Sequence, residues 1–143
     1  MYLISACLLG ENTKYNGGNN RHEACLKFAE SHSVYAICPE GISSLTMPRP
    51  PAERVGDKVI SKDGSDVTAM FLAGARSSLC LALAEAEQRG ESIEGAILKA
   101  NSPSCGSNII YDGTFSGNKI AGDGCFAELL KELGIKVITE KEL

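Results

Sequence analysis

The chain has 143 residues, 43% hydrophobic and 22% charged, with a net charge of −4. That is an ordinary globular balance, enough for one domain with its own core, expected over residues 1–143. No basic footprint marks a nucleic-acid partner, no run is read as nearing the roughly 20 apolar residues of a membrane helix, and the first residues lack the basic stretch of a signal peptide. A cytoplasmic protein is expected, without nucleic-acid or membrane partners. Its six cysteines are then metal-binding, catalytic or buried thiols rather than disulfides.

Apolar runs of strand length alternate with amphipathic stretches along the chain. The first strand is expected at 2–7, followed by a polar, glycine-rich loop at 10–20. A helix is expected over 21–32, with Asn20 and Glu23 as a capping pair and Ala24, Cys25, Phe28 and Ala29 as its apolar face. A second strand at 34–38 stops at Pro39 and leads into the irregular Pro48-Arg49-Pro50-Pro51. Residues 55–60 read as a hairpin turning at Gly56-Asp57. A long helix over 65–89 ends at Gly90, with Val67, Phe71, Ala75, Leu79, Ala82, Leu83 and Ala86 inward. The third strand is expected at 95–99, before the loop Asn101-Ser102-Pro103-Ser104-Cys105-Gly106. Residues 109–111 and 114–115 read as a hairpin around Asp112-Gly113. Gly122-Asp123-Gly124 opens a last helix to about 133, and residues 135–139 are the final strand. The pattern predicts an α/β fold: three layers, a mostly parallel Rossmann-like sheet with helices on both faces, and small hairpin additions.

Three cysteines fall at strand ends: Cys7 after the first, Cys38 closing the second, Cys105 in the loop after the third. In open α/β sheets the ligand crevice lies outside the carboxyl ends of the strands, so these positions are expected to converge. Three thiolates suit a soft metal or an iron–sulfur cluster and leave a coordination position open. The spacing does not choose between zinc and iron–sulfur. Cys25, Cys80 and Cys125 read as small buried hydrophobes. His22 and His32 read as surface residues, and no nucleotide-binding glycine motif is present.

The residues around the three cysteines form a recognisable series. It runs through Ser5-Ala6-Cys7-Leu8-Leu9-Gly10, Tyr15-Asn16-Gly17, Cys38-Pro39-Glu40, Pro48 to Glu53, Gly64 to Thr68, Leu98-Lys99, Ser102 to Gly106 and Tyr111 to Phe115. In this order, over nearly the whole chain, it resembles the bacterial domain-of-unknown-function 523 family. That family includes a thiouracil desulfidase with a [4Fe-4S] cluster on three cysteines. The resemblance implies Cys7, Cys38 and Cys105 as the cluster ligands and a small thiolated nucleobase as substrate. Many relatives carry a further cysteine where this chain has Thr13, and the second C-terminal domain of some members is not expected here.

The reaction implied is coordination of the substrate sulfur to an open iron, which polarises the C–S bond, and attack of water on the carbon. Glu40, two residues after Cys38, is the expected base, because a carboxylate beside the metal is placed for proton transfer. Ser102 is a second catalytic candidate, and Ser5, Arg49 and Ser104 are substrate-binding candidates. The plainer readings are turn chemistry for the serines, an Arg49–Glu53 pair that fixes the loop, a solvated Lys99 at its strand end, and a simple helix start at Gly122-Asp123-Gly124. Two other functions stand beside the desulfidase. One is another reaction at an open iron, such as sulfur transfer or dehydration; the other is a non-catalytic iron–sulfur or zinc-binding domain. Homo-oligomerisation is left open.

Overall fold

The apolar runs become the strands of one parallel sheet. In the computed structural model, which describes residues 1–43 and 45–143, the elements are β1 (Tyr2–Ser5), a 3-10 turn (Ala6–Leu9), α1 (Glu23–Ser31), β2 (Val34–Ile37), α2 (Pro39–Ile42), β3 (Ala52–Val55), β4 (Lys58–Ser61), α3 (Thr68–Arg89), β5 (Gly95–Leu98), β6 (Ile109–Tyr111), β7 (Lys119–Ala121), α4 (Cys125–Glu132), β8 (Val137–Thr139) and a closing 3-10 turn (Glu140–Glu142). The four parallel strands lie in the order β2-β1-β5-β8. The pairs β3–β4 and β6–β7 are separate antiparallel hairpins.

Alternate strand residues point to opposite faces, and both faces are apolar. Leu3, Ala96, Leu98 and Val137 join Phe71, Ala75, Phe126 and Leu130 in one core, under α3 and α4. Ile4 and Ile97 point the other way and pack with Leu8 and Cys25, under α1. The three-layer architecture expected from the sequence is therefore the one observed. The chain runs outward from β1 to β2 on one side and from β5 to β8 on the other, so the winding reverses between the neighbours β1 and β5. Such a switch point opens a crevice beyond the carboxyl ends of the strands.

Local contacts correct several expectations. The first strand stops at Ser5, and Cys7 sits on the following 3-10 turn. Asn20 does not cap α1; the cap position belongs to His22, without a side-chain bond, and Asn20 binds Cys7 instead. Asp112 Oδ1 accepts the Thr114 N–H at 2.9 Å and Phe115 has φ 55°. The chain keeps turning there, and the return strand is β7 rather than 114–115.

On α3, Phe71, Ala75, Ala82 and Ala86 are buried, but Leu83 is 50% exposed and Cys80 faces solvent. These two lie about 100° and 200° around the helix from Ala82. α3 is also, by length and composition alone, long and apolar enough to cross a membrane, contrary to the reading of the sequence. Here its buried stripe packs on the sheet.

Candidate metal centre

A cavity of about 510 Å³ opens where β1, β2 and β5 end, and Cys7, Cys38 and Cys105 all line it. Each cysteine is held by its own local structure. Cys7 Sγ accepts a hydrogen bond from Asn20 Nδ2 at 3.4 Å, and the Cys7 carbonyl takes the Asn20 N–H at 2.9 Å. Cys38 caps α2, with Pro39 at the first helical position, and its sulfur accepts the Gly41 N–H at 3.3 Å. Cys105 ends the 102–105 turn and donates its N–H to Ser102 Oγ at 3.0 Å.

All three cysteines are free thiols. Burial pushes the Cys105 thiol well above its ordinary range, opposed by a hydrogen bond from Ser5. Burial also raises Cys7, against the Asn20 bond. Deprotonation of these sulfurs is therefore favoured by a cation that replaces lost hydration. Three thiols around one cavity suit a soft metal or an iron–sulfur cluster.

Glu40 follows Cys38 in α2 and also lines the cavity. Its Oε1 accepts from Arg49 Nε at 3.2 Å and Nη2 at 3.0 Å, and its Oε2 accepts from Ser104 Oγ at 3.0 Å. A carboxylate has about four acceptor positions, so one position, on Oε2, is left over. Arg49 thus pairs with Glu40 and not with Glu53; Nη2 also donates to the Thr13 carbonyl at 3.1 Å, and the side chain is 6% exposed.

The serines divide. Ser5 lines the cavity and accepts the Lys99 N–H at 2.9 Å. Ser102 lines it too, but its oxygen takes the N–H groups of Ser104 and Cys105, which is turn chemistry. Ser104 is 2% exposed, is not part of the cavity lining, and serves Glu40. Asp123 accepts the Asn108 N–H and the Lys131 ammonium ahead of α4, so the 122–124 stretch is a helix start.

Reading the sequence missed several residues of this wall. Tyr111 and Phe115 line the cavity. Glu53, 8% exposed, fixes their loop by accepting the N–H groups of Gly113 at 3.0 Å and Phe115 at 3.1 Å. Glu140, 6% exposed, accepts the Ala100 N–H at 2.6 Å and lies 3.4 Å from Lys99 Nζ. Only the position of Glu140 just after a strand hinted at a place near the sheet edge.

The chain is similar to known proteins along its length. The family model described as 2-thiouracil desulfurase matches residues 2–142. The uncharacterized protein YbbK of Bacillus subtilis (strain 168) is 39% identical over 153 aligned residues, covering 100% of this chain and 97% of that protein. A solved structure, the [4Fe-4S]-dependent thiouracil desulfidase TudS (DUF523Vcz), superimposes with a TM-score of 0.85 at 41% identity, covering 99% of this chain and 91% of that one. With a match along nearly its whole length, the chain belongs to the 2-thiouracil desulfurase family.

Proposed function

We propose that this protein is a desulfidase that removes sulfur from a thiouracil-like heterocycle, with an iron–sulfur cluster held by Cys7, Cys38 and Cys105. The observation that carries the reading is the meeting of three unpaired thiols, from the ends of three parallel strands, in a cavity that Glu40 also lines. Family membership and the similarity to a [4Fe-4S]-dependent desulfidase support it. When bound, such a cluster supplies a soft Lewis-acidic iron able to polarise a carbon–sulfur bond.

The chain's own residues account for the rest. Glu40 receives the proton of the attacking water on the acceptor position that Arg49 and Ser104 leave free on Oε2. The water oxygen forms the new bond to carbon, and the carbon–sulfur bond breaks with its electron pair passing to sulfur. The second water proton moves from the new hydroxyl to that sulfur, which departs as hydrosulfide and leaves a carbonyl. Arg49 and Ser104 fix the carboxylate in place, since a base has to be positioned before it is effective. Tyr111 and Phe115 offer aromatic surface to a planar ring.

The test is anaerobic reconstitution with iron and sulfide, followed by metal analysis and turnover of 2-thiouracil. Wild type is expected to hold about four irons and release sulfide. Changing Cys7, Cys38 or Cys105 to Ser should abolish the cluster. Glu40→Gln should retain it and lose about 10²–10⁴ in kcat. A chain that binds no cluster under strict anaerobiosis, or keeps it in all three cysteine variants, would sink the proposal.

A further inference from the structure

The cavity wall carries one ammonium group that the fold positions and leaves partly unused. Lys99 follows directly on β5, its side chain is 27% exposed, and it lines the cavity. Its Nζ donates to the Ala100 carbonyl at 3.2 Å and lies 3.4 Å from Oε2 of the buried Glu140. An ammonium has three donors, so one remains without a partner among the described residues. Removing the Glu140 carboxylate from water is costly unless it is paired and hydrogen-bonded. It is both, through Lys99 and the Ala100 N–H. The arrangement keeps a cation at the wall instead of letting its flexible stem sample solvent.

The other cations around the cavity differ. The nearly buried Arg49 commits Nε and Nη2 to Glu40 and the Thr13 carbonyl, and its Nη1 is buried without a partner. Lys14 and Lys62 also line the cavity, but among the described residues no side-chain hydrogen bond or ion pair holds either ammonium. Among the described residues, Lys99 combines a fixed position at the cavity wall with a spare donor on a side chain that is 27% exposed.

We infer that Lys99, positioned by Glu140, recognises the ring oxygen of the thiolated heterocycle and so selects thiolated pyrimidinones over thiolated rings that lack the oxygen. The inference rests on the desulfidase reading. A ring carbonyl is an acceptor without a proton of its own, and an ammonium is a donor without a lone pair. The contact stays favourable when the ring loses an N–H proton and its oxygen gains negative charge. Sulfur faces the thiols, and the oxygen faces Lys99.

The test compares 2-thiouracil with pyrimidine-2-thione, which keeps the ring and the thiocarbonyl but lacks the oxygen. Both are assayed on cluster-loaded wild type, Lys99→Met and the double variant Lys99→Met/Glu140→Gln, with iron counted in each. The double variant removes the carboxylate that the single change leaves buried and unpaired. Wild type is expected to prefer 2-thiouracil in kcat/KM by about tenfold to a hundredfold, the range of a hydrogen bond to a charged group. In both variants the preference should fall to about one, mainly through KM, with iron unchanged. A preference that survives in either variant overturns the role of Lys99 and leaves the desulfidase reading intact. If loaded wild type turns over neither compound, the desulfidase reading falls, and calorimetry with uracil decides on Lys99. A loss of uracil affinity of about tenfold or more in Lys99→Met supports it; equal affinity, or none in wild type, overturns it.

Discussion

Glu53 shapes the cavity from behind its aromatic wall. Its Oε1 takes two backbone N–H groups, from Gly113 and Phe115, and Phe115 is held at a positive φ that side chains seldom adopt. Glu53→Ala removes the acceptor of two part-buried N–H groups, a cost of about 1–3 kcal/mol for the pair, since water reaches them in part. The expected outcome is a melting temperature lower by several degrees and a raised KM for the heterocycle, with iron content unchanged; thermal melts and steady-state kinetics check it. The residue shows why some of the site was legible and some was not. Cys7, Cys38 and Cys105 each stand beside an apolar run that any reading takes as a strand, so their convergence follows from topology. Glu53 and Glu140 act on backbone 60 and 40 residues away, and no local pattern encodes such a pairing. The expected Arg49–Glu53 pair shows the same limit: nearness in sequence pointed to Glu53, whereas the fold gives Arg49 to Glu40.

Between elements, α3 passes tightly over α2. A Cβ on Gly74 would lie 2.3 Å from the Pro39 carbonyl oxygen, so only a residue without a side chain lets the long helix touch the short one that carries Glu40 and follows Cys38. Gly74→Ala therefore forces backbone apart, and overpacking of this kind costs about 1–3 kcal/mol. The variant should unfold at lower denaturant and bind less iron after reconstitution, because α2 is displaced; chemical unfolding and metal analysis check both. Long periodic segments such as α3 were readable because their apolar positions repeat over many turns. α2 was not, since four residues are too few to show a helical period and Pro39 suggested only an ending. The hairpin expected at 55–60 was readable from its Gly56-Asp57 turn, though its strands reach out to 52 and 61, while the one closed by β7 was hidden by the polar turns that delay its return.

Across the whole molecule, burial of thiols sets how stability responds to alkali. Cys25 is pushed up to about 11, chiefly by burial, and burial likewise raises Cys7, Cys105 and Cys125 above the ordinary 9.0. Below about pH 9 these groups are protonated whether the chain is folded or not. Above it the unfolded chain releases their protons first, so stability falls as pH rises. For the cofactor-free protein in reductant, the contribution of these thiols predicts a denaturant midpoint that falls from about pH 9 to about 11. In Cys25→Ala the fall should be shallower; a series of unfolding curves measures it. The α/β architecture was legible at this scale because strand and helix patterns alternate. The order β2-β1-β5-β8 was not, because nothing local to a strand states which neighbour it will pair with.

That order has a consequence for synthesis. Of the four strands in this sheet the earliest in sequence, Tyr2–Ser5, ends up in the middle, and its partner on one side begins only at Gly95. While the nascent chain grows from β2 to β5, one edge of an apolar strand lacks its final neighbour. Pairing between distant segments is slow to form, and exposed strand edges attract other chains. The growing chain is thus most open to misassembly before β5 emerges, and the crevice takes shape only once that strand has docked.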